Sequence, residues 1–84
     1  MSGRLRDKAC LVVGAASGIG AAVAARFASE GARVAVAGWP RPRPVGDGPA
    51  LDCDVTDDAA VRATVAAVLA AFGRIDVLVN CAGI

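Results

Sequence analysis

Tyrosine and histidine do not occur in this sequence, and lysine occurs once, at Lys8. A chain without phenol or imidazole groups lacks the side chains that most often carry protons in catalysis, so no catalytic residue is expected within it. Aromatic residues make up 4% of the chain, as Phe27, Trp39 and Phe72, which leaves no platform for stacking the bases of a single strand. Neither sign of charge dominates. Nine basic residues face eight acidic ones, and a net charge of +1 gathers no polyanion, so nucleic acid is excluded as a partner. The three cysteines, Cys10, Cys53 and Cys81, are odd in number and sit in apolar runs. They read as reduced core thiols rather than a disulfide framework or a metal site, which points to a cytoplasmic protein. A long uninterrupted apolar run is also missing. The uncharged stretch at 9–25 follows Arg4, Arg6 and Lys8, but glycines break it and it falls short of the roughly 20 residues of a membrane span, so neither a membrane segment nor a secretory signal is expected.

What is present is apolar and short. The 84 residues are 56% hydrophobic and 20% charged, a composition that looks mostly interior. Typical domains run to about 100–150 residues, so this is one domain at most and one of marginal free-standing stability. Residues 9–13 (ACLVV) form a continuous apolar run ending at Gly14, as expected for a parallel strand covered on both faces. Ile19, Val23 and Phe27, widened by Ala22 and Ala28, predict a helix that Gly31 stops. Residues 33–37 and 50–54 predict two further strands. Between them, Pro40, Pro42, Pro44 and Pro49 with Gly46 and Gly48 exclude a helix, and 38–49 is expected to be an extended loop. Thr56 is the expected N-cap of a second helix, which carries Val61, Val65, Val68, Leu69 and Phe72 on one face and ends at Gly73. A fourth strand is expected at 75–80. Right-handed crossovers wind this order of elements into an α/β fold, the N-terminal half of a doubly wound Rossmann-type parallel sheet with strand order 3-2-1-4.

Gly14, Gly18 and Gly20 fall at the first strand-to-helix junction in the spacing GxxxGxG. A pyrophosphate asks for such a place: a tight turn, a close approach of bare backbone, and helix N–H groups aimed at negative charge. The lysine and hydroxyl that close a nucleoside-triphosphate loop are absent after these glycines.

Around this junction the chain resembles a known family. Residues 12–20 (VVGAASGIG) resemble the TGxxxGIG fingerprint of the short-chain dehydrogenase/reductases, and the likeness continues in CDVTD at 53–57 and in FGRIDVLVNCAG at 72–83, similar to that family's NNAG segment. The resemblance covers nearly all of the chain except the proline-rich loop. It implies a dinucleotide coenzyme, with Gly14, Ser17, Gly18, Ile19 and Gly20 lining the pyrophosphate. It implies Asp54 bonding the adenine amino group with Val55 beside the ring, and Asn80, Ala82 and Gly83 along the riboses. It assigns no role to Asp76.

Four departures qualify what the resemblance implies. Val13 stands where the family has Thr, and Cys81 where it has Asn. Gly38 stands where NAD-preferring members carry an acid for the ribose hydroxyls, while Arg41 and Arg43 follow closely and a guanidinium can grip a phosphate through two bonds. The coenzyme is therefore NAD or NADP, with a lean to NADP. Finally, the family transfers hydride between nicotinamide and a carbonyl or alcohol using a downstream Ser, Tyr and Lys in a YxxxK motif, which this sequence does not contain. The 84 residues alone are expected to be inactive, to meet a small-molecule substrate only if a C-terminal half completes them, and to expose an apolar strand edge at Val77, Leu78 and Val79 that leaves them poorly folded or self-associating. Complete relatives are expected to be homo-oligomeric. A coenzyme-binding portion of an oxidoreductase, a non-catalytic dinucleotide-binding or assembly module, and a non-functional truncated remnant all remain compatible with these residues.

Overall fold

Five consecutive apolar residues leave a strand no polar face, so Ala9–Val13 (β1) has to lie where both faces of a sheet are covered. In the computed structural model, which describes residues 5–16 and 18–81, every residue of β1 is buried. Strand β2 (Arg33–Gly38) runs parallel on one side of it, from Ala9 opposite Arg33 to Val13 opposite Ala37. Strand β4 (Val77–Asn80) runs parallel on the other side, from Cys10 opposite Val77 to Val13 opposite Asn80. Strand β3 (Ala50–Asp52) pairs only with the upper half of β2, Val36 to Gly38. The order is β3-β2-β1-β4, half of a doubly wound α/β sheet.

Alternation along the strands divides the core in two. Cys10, Val12, Val34 and Val36 point to one face, where Val23, Phe27 and Ala28 of helix α1 (Gly18–Ser29) cover them. Leu11, Val13, Ala35 and Ala37 point to the other, under Val61, Val65, Val68 and Phe72 of helix α2 (Asp58–Phe72). One helix on each face is what right-handed crossovers impose. Of the expected α1 stripe, Val23, Phe27 and Ala28 pack on the core, joined by the buried Gly20 and Ala24, while Ile19 is 51% exposed and Ala22 is exposed. In α2 the buried positions are Thr64 and Val68, and Leu69 faces out.

Local chemistry sets the helix ends. Gly31, at φ 92°, donates to the Ala28 carbonyl at 3.0 Å and Ala32 donates to that of Phe27 at 3.2 Å, the paired bonds of a left-handed glycine stop. The N-cap of α2 is Asp57, not Thr56. Its Oδ1 accepts from the Ala59 and Ala60 amides at 3.0 and 3.3 Å, whereas the Thr56 hydroxyl is drawn back to Asp54. Gly73, at φ 82°, closes the helix through a 2.8 Å bond to the Leu69 carbonyl. Three strand boundaries also move. β2 gains Gly38, β3 ends at Asp52 rather than at 54, and β4 begins at Val77 rather than at 75. Residues 39–49 contain neither helix nor strand.

The amino ends of the strands are bound to one another. Asp76 donates its amide to the Ala9 carbonyl at 2.7 Å and accepts from the Ala9 amide on Oδ2 at 2.8 Å, so a two-way bracket sets the register of β4 on β1. Arg74 donates to the same oxygen at 2.9 Å and to the Asp7 carbonyl at 3.2 Å. The bond from Ala9, then those from Arg74, hold the Asp76 carboxyl below the usual carboxylate range. Asp76, to which the resemblance assigns no role, is thus a clamp. Arg33 stacks 5.1 Å from the centre of the Phe72 ring and donates to the Phe72 carbonyl at 3.3 Å, tying β2 to the end of α2.

Candidate functional site

All four parallel strands end on one side, and the connections that leave them there carry most of the residues singled out in the sequence. Gly14 follows β1 at φ 84°, a conformation that costs a side-chain-bearing residue stability, and both Gly14 and Ala15 donate to the Ala37 carbonyl, at 2.8 and 3.1 Å. The chain then turns directly into α1. A Cβ at Gly20 would collide with the Gly14 carbonyl, so helix and turn close on each other backbone to backbone. Gly18 is different. A Cβ there would meet nothing within 4 Å, so the protein's own packing does not require glycine at that position. The first turn of α1 holds no acidic residue, in contrast to α2, which opens on Asp57 and Asp58. The positive end of the α1 dipole therefore has no carboxylate of its own in that turn.

The other predicted residues gather along the same edge. Asn80 ends β4 beside Val13, and the Cys81 amide continues that ladder with a 2.7 Å bond to the Val13 carbonyl. Cys53 continues β3 with a 2.9 Å bond to the Gly38 carbonyl, and Asp54 and Val55 follow it. Asp54 is exposed and accepts on Oδ1 from the Thr56 hydroxyl at 2.7 Å and the Thr56 amide at 2.9 Å; the hydroxyl, then the amide, hold its carboxyl below the usual range, so it is ionised at neutral pH. Three large apolar side chains stand open along this edge: Ile19, Val55 and Trp39, the last 70% exposed. Ser17, Ala82 and Gly83 lie outside the described residues.

At the end of β2 the picture is more crowded. Gly38 is buried, and a Cβ on it would come within 3.3 Å of the Ala16 amide nitrogen. Arg41 donates through Nε and Nη2 to the two oxygens of Asp52, at 3.4 and 3.1 Å. This pair was not foreseen, because nothing in the spacing of residues 41 and 52 announces it; parallel pairing of Gly38 with Asp52 brings the carboxylate there. The three cysteines are free and buried, and burial, then the charge of Asp76, push the Cys10 thiol up. Among the described residues no cluster of metal-ligating side chains occurs, and no helix is long and apolar enough to cross a membrane.

A glycine turn feeding a helix N-terminus at the carboxyl edge of a 3-2-1-4 parallel sheet defines the Rossmann class of α/β proteins. Within that class the chain belongs to the short-chain dehydrogenase/reductase family: residues 14–84 match the family model described as enoyl-(acyl carrier protein) reductase. It is 48% identical to D-threitol dehydrogenase of Mycolicibacterium smegmatis over 96% of this chain and 35% of that protein. It is 38% identical to meso-2,3-butanediol dehydrogenase of Serratia marcescens over 96% of this chain and 36% of that one. Among solved structures, the ligand-free aldohexose dehydrogenase of Thermoplasma acidophilum superposes with a TM-score of 0.87 at 39% identity, covering all of this chain and 32% of that one. A 3-ketoacyl-(acyl-carrier-protein) reductase of Brucella melitensis, solved with NADH, gives 0.75 at 34% identity over 88% and 33%. The chain thus spans about a third of the length of the relatives it matches.

Proposed function

We propose that these 84 residues form the NAD(P)-binding portion of an oxidoreductase that moves hydride between nicotinamide and a carbonyl or alcohol substrate. The observation that carries the reading is Gly18: the fold leaves open the space its side chain would fill, directly at a helix N-terminus without an acid of its own. A pyrophosphate suits that space in size and charge. On this reading Gly14, Ser17, Gly18, Ile19 and Gly20 line the pyrophosphate. Asp54, whose carboxylate takes both Thr56 bonds on Oδ1, accepts from the adenine amino group through its other oxygen, with Val55 against the ring. Asn80, Ala82 and Gly83 follow the riboses. The exposed apolar surfaces of Ile19 and Val55, which the core does not use, become contacts for the coenzyme's rings.

The bound coenzyme supplies the hydride; the residues here bind and orient it. The proton for the carbonyl has no tyrosine to come from in this sequence, so the Ser, Tyr and Lys expected by resemblance have to be supplied by further polypeptide. With that complement the protein is a cytoplasmic homo-oligomer acting on a small molecule. The lean is to NADP, because Gly38 presents no carboxylate to repel a 2′-phosphate.

Trp39, the only tryptophan, stands exposed at the end of β2 and serves as reporter. Titration with NAD(H) or NADP(H) is expected to quench its emission saturably, while the chain produces no change in nicotinamide absorbance with alcohols or ketones. A sample with the far-ultraviolet dichroism of a folded α/β protein and no saturable quenching would refute the binding assignment, and turnover above blank would refute the division of labour.

A further inference from the structure

Gly38 takes the place where, by resemblance, an acid would read the adenosine ribose. A Cβ there would come within 3.3 Å of the Ala16 amide nitrogen, close enough that the turn would have to give by a few tenths of an ångström. The nearest carboxylate is instead on the neighbouring strand. Asp52 lies directly across from Gly38, about 5 Å away by strand spacing, and both of its oxygens are held by Arg41. Arg41 also lines, with Ala15, Ala16, Pro40 and Arg43, a cleft of about 350 Å³, so the residue that pairs with Asp52 shares a cleft with the glycine turn.

We propose that coenzyme choice in this chain is decided by a competition for Arg41 between Asp52 and a 2′-phosphate. This rests on the reading that the carboxyl edge binds NAD(P). The Arg41–Asp52 pair is 61% and 48% exposed, and solvent-screened pairs of that kind hold weakly. A ribose phosphate carries more charge than a carboxylate and offers the same two-oxygen geometry, so it can draw Arg41 away at modest cost. With NAD there is nothing to draw it. Asp52 then keeps the guanidinium, and the pair presents a neutral surface to the ribose. Wild-type discrimination is therefore small, because each NADP molecule has to displace a carboxylate before it gains its phosphate contact.

The test is a quenching titration of Trp39 with NAD, NADP, AMP and adenosine 2′,5′-bisphosphate, on the wild type, Asp52→Asn, Arg41→Ala and the double variant. Asp52→Asn is expected to tighten NADP and the bisphosphate about ten-fold, the scale of one charge-assisted contact, and to leave NAD and AMP within about two-fold. Arg41→Ala is expected to bring the two coenzymes to equal affinity. The double variant decides between a competition and a general charge effect, since removing a nearby negative charge alone would favour any phosphate. If Asp52 acts through Arg41, the double variant matches Arg41→Ala. A gain of NADP affinity that persists without Arg41, or an Asp52→Asn variant whose NADP-to-NAD ratio is unchanged, overturns the proposal while the coenzyme site stands. No saturable binding of any of the four compounds to any folded variant overturns the site and the competition together.

Discussion

The two ends of the sheet solve opposite problems. At the amino end, polar groups satisfy one another: Asp76 brackets Ala9, Arg74 joins Asp76 to the Asp7 carbonyl, and Arg33 closes α2 over Phe72. At the carboxyl end Ile19, Trp39 and Val55 are apolar and exposed, and Gly18 lacks a side chain that the packing would admit, whereas Gly14 and Gly38 are glycines the turn itself asks for. Features that folding alone does not explain gather at this second end, beside polar pairs such as Arg41–Asp52 and Asp54–Thr56. The difference marks which residues the fold itself accounts for and which are candidates for binding, without reference to any relative.

Substitutions can break or sharpen that contrast. Gly20 belongs to both categories, because its missing side chain lets α1 close on the Gly14 carbonyl. Gly20→Ala meets backbone that cannot give way. It is expected to cost about 3 kcal/mol or more and to abolish coenzyme quenching, read by thermal melting and Trp39 emission. Gly18→Ala should separate the two properties. Nothing in the protein obstructs that Cβ, and alanine is the better helix former, so stability should hold or rise by up to about 1 kcal/mol while coenzyme affinity falls ten-fold or more. Equal losses in both measurements would erase the distinction between the ends. Asp57→Ala removes the cap of α2 beside Asp54; a loss of about 1 kcal/mol in melting is expected, with a smaller loss of coenzyme affinity than Gly18→Ala gives.

The smallest effect is a pH dependence. The carboxyl of Asp76 titrates lower in the folded chain than in the unfolded one, through the Ala9 amide first and Arg74 after it. Its contribution is therefore fully present above the ordinary carboxylate pKa of about 3.9 and is lost as pH falls through the lower folded value. Asp54 adds the same sign through Thr56. Melting temperatures followed from pH 7 to pH 2 should fall on the acid side, and Asp76→Asn should flatten that fall. An unchanged acid limb in the variant would show that the bracket on Ala9 is replaceable.

Strong periodic signals in the sequence survived folding, and contacts between distant residues left no such signal. The unbroken apolar run of β1 and the glycine at its end were legible because covering both faces of a parallel strand constrains composition directly. In α1, Val23, Phe27 and Ala28 lie on the packed face as their spacing implied, but Ile19 and Ala22 do not, because in the first turn it is Gly20 that closes on the Gly14 carbonyl. Thr56 and Asp57 are both good caps, and the choice between them turned on Asp54 holding the threonine hydroxyl. Asp76 was missed because its partner Ala9 is 67 residues away. For the candidate site, the spacing marked Gly14, Gly18 and Gly20, and resemblance alone marked Asp54, Val55 and Asn80, which stand at the same strand ends, whereas the Arg41–Asp52 pair depends on strand pairing that no local pattern encodes.

The proline-rich connection also decides how this sheet can meet another copy of itself. Gly48 rests against the Val34 carbonyl and Pro49 accepts from the Val36 amide, so the outer side of β2 is covered by a segment in which prolines remove amide donors. Beyond it β3 offers three residues that begin just after Pro49. Short strands and prolines are poor templates for an incoming chain. β4 at the opposite margin is longer and carries Leu78 at 60% exposure. Of the two outer strands among the described residues, β3 is therefore the poorer template for an added strand and β4 the better one.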